Sequence, residues 1–259
     1  MTADLAALRR LRAEPGMSSL HRSLEYYYGD PARDAALDAF HARFVSPGDL
    51  VLDIGAHVGD RVGSFRRLGA RVVAVEPQPL CVEALHALYG TDDEVTVVAA
   101  ACGAEPGRVR LYVNSANPTV STASPEFVRA ADGAGGWEGQ VWDGELEVPT
   151  VTVDALVAEH GTPAFVKIDV EGYEDVVLAG MSDPVPTMSF EFTTVERAVA
   201  LRCLDRATAL GFEGFDVSLG ESLSFAHGRW LPASAIAAYL SELPHEANAG
   251  DVYCVPKIP

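Results

Sequence analysis

The sequence predicts an α/β fold in which a mostly parallel β-sheet carries helices on both faces. Short apolar runs alternate with segments of helical periodicity through the first two thirds of the 259-residue chain, a pattern typical of parallel sheets. The runs at 50–54, 71–76 and 164–169 are almost continuously apolar, as expected for strands that are buried on both faces. Several of these runs carry an acid at or near their ends, which places charged groups at one edge of the sheet.

Residues 1–45 are predicted to form a helical extension ahead of the sheet. Leu5, Leu8 and Leu11 recur every three residues, which favours a short amphipathic helix. The Asp-Pro pair at 30–31 is typical of a helix start, because aspartate caps the first turn and proline fits its first position.

From residue 46 onward the patterns predict one large domain over 46–259. The predicted strands lie at 50–54, 71–76, 95–99, 108–113, 147–151, 164–169, 187–192, 212–217 and 251–255. The predicted helices lie at 58–68, between Pro79 and residue 89, and at 153–159, 173–179 and 194–210.

Two segments depart from this regular pattern. Residues 114–146 are rich in Gly, Ser, Ala, Asn and Asp and contain Trp137 and Trp142. A polar segment of this length in a compact domain is usually functional or disordered, so we predict a lid on the substrate side. The three tyrosines at 26–28 either pack on the domain or line the mouth of a ligand site, since tyrosine has an apolar body and a polar tip.

Composition excludes some classes of partner. The formal net charge is −18, so neither a nucleic acid backbone nor an anionic membrane surface is an expected partner. A substrate is expected to be neutral or cationic. The four cysteines form no CxxC pair and are interpreted as small buried thiols. With no apolar run long enough to span a membrane and no secretory signal, we expect a cytoplasmic protein.

Four acids are expected at the carboxyl ends of strands: Asp53, Glu76, Asp169 and Glu191. In sheets of this kind, ligands bind beyond those ends. Each acid alone could be a helix cap, but four on successive strands indicate one shared crevice.

The turn from Gly55 to Gly59 lacks the GxGxxG fingerprint of dinucleotide sites, because Ala56 and His57 occupy the space of its second glycine. A turn without that fingerprint, preceded by Asp53, suits a cofactor with a cationic end and no phosphate. S-adenosylmethionine has these properties. We therefore expect Asp53 and the Gly55 turn at its methionine part. Glu76 follows Gly55 by 21 residues, near the offset at which an acid binds ribose hydroxyls. His57 is interpreted as a helix-start residue.

Residues 50–60 (LVLDIGAHVGD), 75–77 (VEP), 165–174 (FVKIDVEGYE) and 189–192 (SFEF) resemble the corresponding segments of the FkbM-type methyltransferases. The resemblance extends over about residues 45–195. It implies a class I, Rossmann-like fold of seven strands with the last antiparallel, and S-adenosylmethionine as methyl donor. Members of this family mostly methylate hydroxyl groups, often on sugars or natural products.

The expected cofactor-binding residues are Asp53, Gly55, Ala56, Gly59, Glu76, Pro77, Ala101 and Asp169. Methyl transfer to an alcohol also needs alignment of the reacting atoms and removal of a proton. Asp169 is the first candidate for the base, and Glu171 and Glu191 are expected close to it. Asp169 and Glu191 could instead bind Mg²⁺, which prefers oxygen ligands and would acidify a bound hydroxyl.

Three side chains near this site have open roles. Glu171 and Glu191 could merely cap helices or hold Lys167, and Lys167 is expected to pair with an acid. His227 is a candidate catalytic base or metal ligand, although a lone histidine in a loop is more often an ordinary surface residue.

The leading hypothesis is an S-adenosylmethionine-dependent O-methyltransferase whose acceptor is a small molecule or saccharide hydroxyl, with Mg²⁺ as an optional aid. A nicotinamide-dependent oxidoreductase and a non-catalytic cofactor-binding module are the alternatives. No nucleic acid or membrane partner is expected, and the apolar N-terminal helix could serve a homodimer.

Overall fold

The computed structural model describes residues 3–258. In chain order the strands are β1 (Leu50–Ile54), β2 (Arg71–Val75), β3 (Val95–Val98), β4 (Ala101–Cys102), β5 (Gly107–Val113), β6 (Gly144–Val151), β7 (Phe165–Ile168), β8 (Thr187–Thr193), β9 (Gly214–Leu219) and β10 (Ala249–Val255). The helices are α1 (Leu5–Ala13), α2 (His21–Tyr27), α3 (Pro31–His41), α4 (Asp60–Arg67), α5 (Pro79–Tyr89), α6 (Pro125–Ala131), α7 (Val153–His160), α8 (Glu174–Ala179), α9 (Arg197–Leu210) and α10 (Ala233–Glu242). Short 3₁₀ turns occupy Pro15–Leu20, Pro118–Val120 and His245–Ala247.

Seven strands form the main sheet, in the order β3-β2-β1-β7-β8-β10-β9. The pairs from β3 to β8 are parallel, whereas β10 runs antiparallel to both of its neighbours. The expected fold class is therefore confirmed, including the antiparallel last strand. β1 and β7 are adjacent at the centre, so the residues that follow them emerge side by side.

A second sheet of three strands, in the order β4-β6-β5, stands at the carboxyl edge of the main sheet. Its position follows from the chain, because only two residues separate the end of β3 from the start of β4. Its antiparallel β5–β6 pair contains the strands predicted at 108–113 and 147–151.

Helices cover both faces of the main sheet and bury two separate apolar cores. One core includes side chains of α7 to α10, among them Leu204 and Ile236. The other includes Leu8 and Leu11 of α1 with side chains of α4 and α5. Burial of each such leucine stabilises the fold by about 1.5–3 kcal/mol. The N-terminal extension is thus part of the core, and Leu5, which is 64% exposed, is the leucine that α1 leaves to solvent.

The segment 114–146 is packed rather than extended from the surface. The sequence predicted no helix here, yet Ser124 caps α6 by accepting a hydrogen bond from the backbone N–H of Phe127 (3.1 Å). Phe127 is fully buried and meets the buried Trp137 edge to face, with ring centroids 5.1 Å apart. The lid function of this segment stays a prediction.

The four cysteines are free and buried, which confirms the interpretation as buried thiols. Within residues 3–258, none of the helices has both the length and the apolar character needed to cross a bilayer.

Candidate active site

A cleft opens at the carboxyl ends of β1, β2 and β7. Most of the expected site residues line it: Gly55, Ala56, Glu76, Pro77, Ala101, Asp169 and Glu191. Most of these residues follow or end neighbouring strands, where the sequence predicts a shared crevice.

The turn after β1 brings two segments of backbone into close contact. Gly55 has φ +85°, and a β-carbon added there would lie 1.7 Å from the backbone oxygen of Asp169. Only glycine fits at this crossing. Gly59, also at positive φ, does not line the cleft. A β-carbon on Gly59 would lie 2.6 Å from the ring of Tyr89. The assignment of Gly59 to the cofactor is corrected accordingly: packing against Tyr89 explains this glycine.

Glu76 follows β2 and is 2% exposed. Each of its carboxylate oxygens accepts a backbone N–H, from His57 (2.9 Å) and from Gln78 (2.8 Å). Burial raises the pKa of Glu76 to about 7, although the two N–H donors act in the opposite direction. The backbone holds this carboxylate in place, and its remaining lone pairs can accept hydroxyl groups from a ligand in the cleft.

One end of the cleft, which we call the apolar end, adjoins Glu76. It is formed by Pro77 together with Ala100, Ala101 and Cys102 at the start of the small sheet, and by Leu111 of β5. Mostly small apolar side chains at these positions line the cleft beside a fixed carboxylate. This is a suitable environment for an aromatic base attached to a ribose.

Asp53 does not reach the cleft. It precedes the end of β1 by one residue, pairs in register with Lys167 and Ala74, and is not among the residues that line the cleft. Asp53 is fully buried, and within residues 3–258 neither of its carboxylate oxygens has a hydrogen-bond partner. Burial raises its pKa to about 6 despite the nearby charge of Lys167. The expected contact of Asp53 with the methionine part is therefore not present in this geometry.

The opposite end of the cleft contains what we call the carboxylate cluster, Asp169, Glu171 and Glu191. One carboxylate oxygen from each lies within 4.8 Å of the others. Lys167 Nζ donates to Asp169 Oδ2 (2.7 Å), which confirms that Lys167 pairs with an acid. Burial alone would raise the pKa of Asp169, but the charge and hydrogen bond of Lys167 outweigh it and the pKa is lowered.

The two glutamates of the cluster respond in the opposite direction. Burial and the charge of Asp169 raise the pKa values of Glu171 and Glu191 well above the ordinary value. Crowded carboxylates of this kind either retain protons or share a cation. Asp251 of β10 pairs in register with Glu191 and adds a further buried acid, whose pKa burial raises to about 6. The sequence analysis missed Asp251, although an acid at the start of an apolar strand was the available signal.

His227 is not brought to the cleft. Its backbone N–H donates to Asp216 Oδ1 (3.1 Å), and the N–H of Arg229 donates to Oδ2 of the same carboxylate (3.1 Å). These bonds fold the loop over β9, where the His227 ring packs on Tyr239 with centroids 4.7 Å apart. The expected catalytic or metal-binding role of His227 does not fit this position.

His57 is a turn residue and not part of a helix start. Its ring lines the cleft and is hydrogen-bonded through Nδ1 to Cys81 Sγ (3.3 Å) and through Nε2 to Ser23 Oγ (3.0 Å). Burial lowers the pKa of His57 to about 4, so the ring is neutral near pH 7. Through Ser23 and Thr119 (3.3 Å) it joins the N-terminal extension and the segment 114–146 to the turn.

The mouth of the cleft carries an ion-pair network that the sequence analysis did not identify. Arg33 of α3 pairs with Asp60 (2.6 Å), and Arg61 pairs with Glu221 (2.7 Å). Arg33 also lies over the ring of Tyr27, 5.1 Å from its centroid. Because Tyr27, Asp60, Arg61 and Glu221 line the cleft, the N-terminal extension forms part of its wall.

The three consecutive tyrosines have three different environments. Tyr26 is 57% exposed, Tyr27 lines the cleft, and the hydroxyl of Tyr28 donates to the backbone oxygen of Val58 (2.7 Å). The packing interpretation therefore holds for Tyr28 and the ligand-mouth interpretation for Tyr27.

Comparison with known proteins identifies the domain. The Methyltransferase FkbM domain matches residues 53–204, more than half of the chain. The 31-O-demethyl-FK506 methyltransferase FkbM of Streptomyces tacrolimicus is 29% identical over 170 residues. That alignment covers 55% of this chain and 63% of the relative, so the chain matches less than two thirds of the relative's length.

Solved structures with a similar arrangement include a TehB-like SAM-dependent methyltransferase from Corynebacterium glutamicum, with 10% identity and a TM-score of 0.47 over 93% of this chain and 97% of the other. A SAM-dependent O-methyltransferase from Thermotoga maritima has 11% identity and a TM-score of 0.44, over 93% and 71% of the two chains. On the match over residues 53–204, the chain belongs to the FkbM methyltransferase domain family.

Proposed function

We propose that this protein transfers a methyl group from S-adenosylmethionine to a hydroxyl group of a saccharide or secondary metabolite. The observation that carries the proposal is the cleft itself, whose lining combines apolar side chains beside Glu76 with a carboxylate cluster at the ends of the neighbouring central strands. The family supports methyl transfer. The name of the Streptomyces tacrolimicus relative places its reaction on an oxygen, which favours a hydroxyl acceptor.

The cleft residues fit this cofactor. The apolar end accepts an adenine ring, and Glu76 accepts ribose hydroxyls with the lone pairs that His57 N–H and Gln78 N–H leave free. The absence of a phosphate-binding glycine fingerprint in the turn suits a ligand without phosphate. When bound, S-adenosylmethionine supplies an electrophilic methyl group on a cationic sulfur, and an acidic cleft attracts that charge.

The chain's own contribution lies in the carboxylate cluster. Lys167 keeps Asp169 ionised, so Asp169 can accept a hydrogen bond from the acceptor hydroxyl. It would take the hydroxyl proton as the carbon–oxygen bond forms and the methyl–sulfur bond breaks, which leaves S-adenosylhomocysteine. A positioned base of this kind contributes about 10²–10⁴-fold in rate. Asp169 and Glu191 could alternatively hold Mg²⁺, which would acidify the hydroxyl directly.

Calorimetry with S-adenosylhomocysteine tests the cofactor assignment. We expect binding with one site per chain, and we expect the Glu83→Gln variant, altered on the exposed side of α5, to bind equally well. A parallel titration with NADH addresses the oxidoreductase alternative. Saturable binding of NADH without binding of S-adenosylhomocysteine would refute the proposal.

The acceptor class is tested by incubating the enzyme with labelled S-adenosylmethionine and a panel of saccharides and polyhydroxylated natural products. The expected product gains one methyl group on oxygen, which mass spectrometry and NMR identify. Methylation found only on nitrogen or carbon would contradict the hydroxyl assignment while leaving the cofactor assignment intact.

A further inference from the structure

We propose that Asp169, Glu171 and Glu191 together bind one divalent metal cation, with Glu171 completing the ligand set. The site rests on the proposed function in one respect, since the cation would act on the acceptor oxygen. Binding of the cation itself needs neither cofactor nor acceptor, so it can be measured separately.

The geometry of the cluster suits a metal of this kind. The three oxygens lie within 4.8 Å of one another. Octahedral coordination of Mg²⁺ at 2.0–2.1 Å puts adjacent ligand oxygens about 2.9 Å apart and opposite ones about 4.2 Å apart, and the longer bonds of Ca²⁺ extend these distances to roughly 3.4 and 4.8 Å. Small side-chain adjustments would therefore place all three oxygens around one ion. The remaining positions face the cleft and are open to water or an acceptor oxygen.

Glu171 supplies a second and independent observation. Its side chain is nine-tenths buried, with 9% exposure, and it lines the cleft. Among residues 3–258 no hydrogen bond or ion pair is made by its carboxylate, whereas its backbone oxygen accepts from Thr122 Oγ1 (2.6 Å). Glu191 Oε2 is likewise buried without a partner. Glu191 is otherwise hydrogen-bonded to Asp169. Buried carboxylates are normally paired or coordinate a metal, so the unpaired carboxylate of Glu171 and the unpaired oxygen of Glu191 beside it indicate a missing positive partner.

The local charge balance indicates a divalent ion. Lys167 supplies one positive charge to a cluster of three carboxylates, which leaves an excess of two negative charges when all three are ionised. Nearby Asp53 and Asp251 add negative charge and Arg61 adds positive charge to the same surroundings. Lys167 engages Oδ2 of Asp169 and leaves Oδ1 for a metal. A ligand set of oxygens alone favours Mg²⁺, Mn²⁺ or Ca²⁺ over metals that prefer nitrogen or sulfur. The alternative is that one proton on each of Glu171 and Glu191 neutralises the excess negative charge.

Titration of the purified full chain with Mn²⁺, followed by the EPR signal of the free ion, tests the site. We expect one Mn²⁺ per chain, displaced by Mg²⁺ in excess. The Glu171→Gln and Asp169→Asn variants should each bind at least about tenfold more weakly, because affinity follows the ligand charge. A double variant, Asp93→Asn with Glu94→Gln, removes two exposed acids elsewhere on this acidic surface and should bind Mn²⁺ like the unchanged protein.

Two results would overturn the site. One is no Mn²⁺ binding below millimolar concentration, and the other is binding that the Glu171 and Asp169 variants leave unchanged. S-adenosylhomocysteine calorimetry on the same samples establishes that each variant is folded, because the apolar end is separate from the cluster. If a variant also loses binding of S-adenosylhomocysteine, the Mn²⁺ titration is carried out on the Glu191→Gln variant instead. Binding of S-adenosylhomocysteine without binding of Mn²⁺ would refute the metal site alone. Binding of Mn²⁺ without binding of S-adenosylhomocysteine would refute the proposed function alone.

Discussion

The buried carboxylates at the two ends of the cleft differ in how many hydrogen-bond donors they receive. At the apolar end, both oxygens of Glu76 receive backbone N–H donors. In the carboxylate cluster, Glu171 receives no such donor from the described residues 3–258, and Glu191 leaves one oxygen buried without a partner. A carboxylate that accepts backbone N–H donors is stabilised before a ligand binds. An unpaired buried carboxylate raises the free energy of the folded protein until a cation or a proton binds to it. This difference fits the proposed roles of the two ends, with ligand recognition at the apolar end and chemistry at the carboxylate cluster.

Gly55 lies between the two ends, and its substitution should disturb both. A β-carbon at Gly55 would overlap the backbone oxygen of Asp169 at 1.7 Å, so Gly55→Ala must separate β1 from β7 at the point where the cleft begins. We expect a loss on the order of 4 kcal/mol in the free energy of unfolding, measured by urea denaturation. Gly133→Ala is the matched control. Gly133 also has positive φ (+71°), but a β-carbon added there would meet no neighbouring atom of the described residues within 4 Å. This substitution should cost only about 1 kcal/mol. Equal losses in the two variants would show that the close approach is not what requires Gly55.

Asp169→Asn should lower turnover without weakening cofactor binding. The substitution removes the charge that Lys167 maintains in the cluster and leaves the apolar end unchanged. We expect turnover to fall by about 10²–10⁴-fold, while the dissociation constant for S-adenosylhomocysteine changes less than about threefold. Rates are measured with the acceptor that the labelling panel identifies. Full turnover in this variant would exclude Asp169 as base and as metal ligand.

The sequence was informative where a side chain's position follows from the end of a strand. Asp169 directly follows β7, and Glu191 lies near the end of β8, so both were expected in the crevice and both line it. Asp53 was not distinguishable from them by pattern. In the register of the sheet it lies level with Lys167, two residues before the level of Asp169, so its short side chain stays below the edge where the cleft opens.

Features that depend on packing between distant segments could not be predicted in this way. Gly59 looked like part of a ligand turn, but its neighbour is Tyr89, 30 residues away in sequence. His227 was placed by hydrogen bonds to Asp216 that no local pattern reveals. α10 and α6 were missed because small and polar residues dominate them, although Ser124 and Pro125 form a recognisable helix start.

The smallest expected effect concerns the pH dependence of the apolar end. The pKa of Glu76 is raised to about 7 by burial, so the folded protein without cofactor holds a proton on Glu76 below that pH. Ribose hydroxyls donate more strongly to the ionised form. Affinity for S-adenosylhomocysteine should therefore rise by up to about tenfold as the pH increases through 7. His57 is neutral throughout, and Asp53, whose pKa burial raises to about 6, titrates below this range.

The same raised pKa has a consequence of the opposite sign for stability. Between the ordinary value of 4.5 and about 7, the folded chain retains a proton on Glu76 that the unfolded chain has released. The contribution of Glu76 to the free energy of unfolding must then fall as pH rises across this window. Glu76→Gln should remove the pH dependence of affinity and reduce that of the free energy of unfolding, to which Asp53, Asp251 and Glu174 also contribute, as measured by calorimetry and by urea denaturation at pH 5.5, 6.5 and 7.5. Glu83→Gln should retain them. If affinity in the Glu76→Gln variant still rose with pH, the ionised carboxylate would not be the group that recognises the ribose, and the contrast between the two ends would lose its basis at the apolar end.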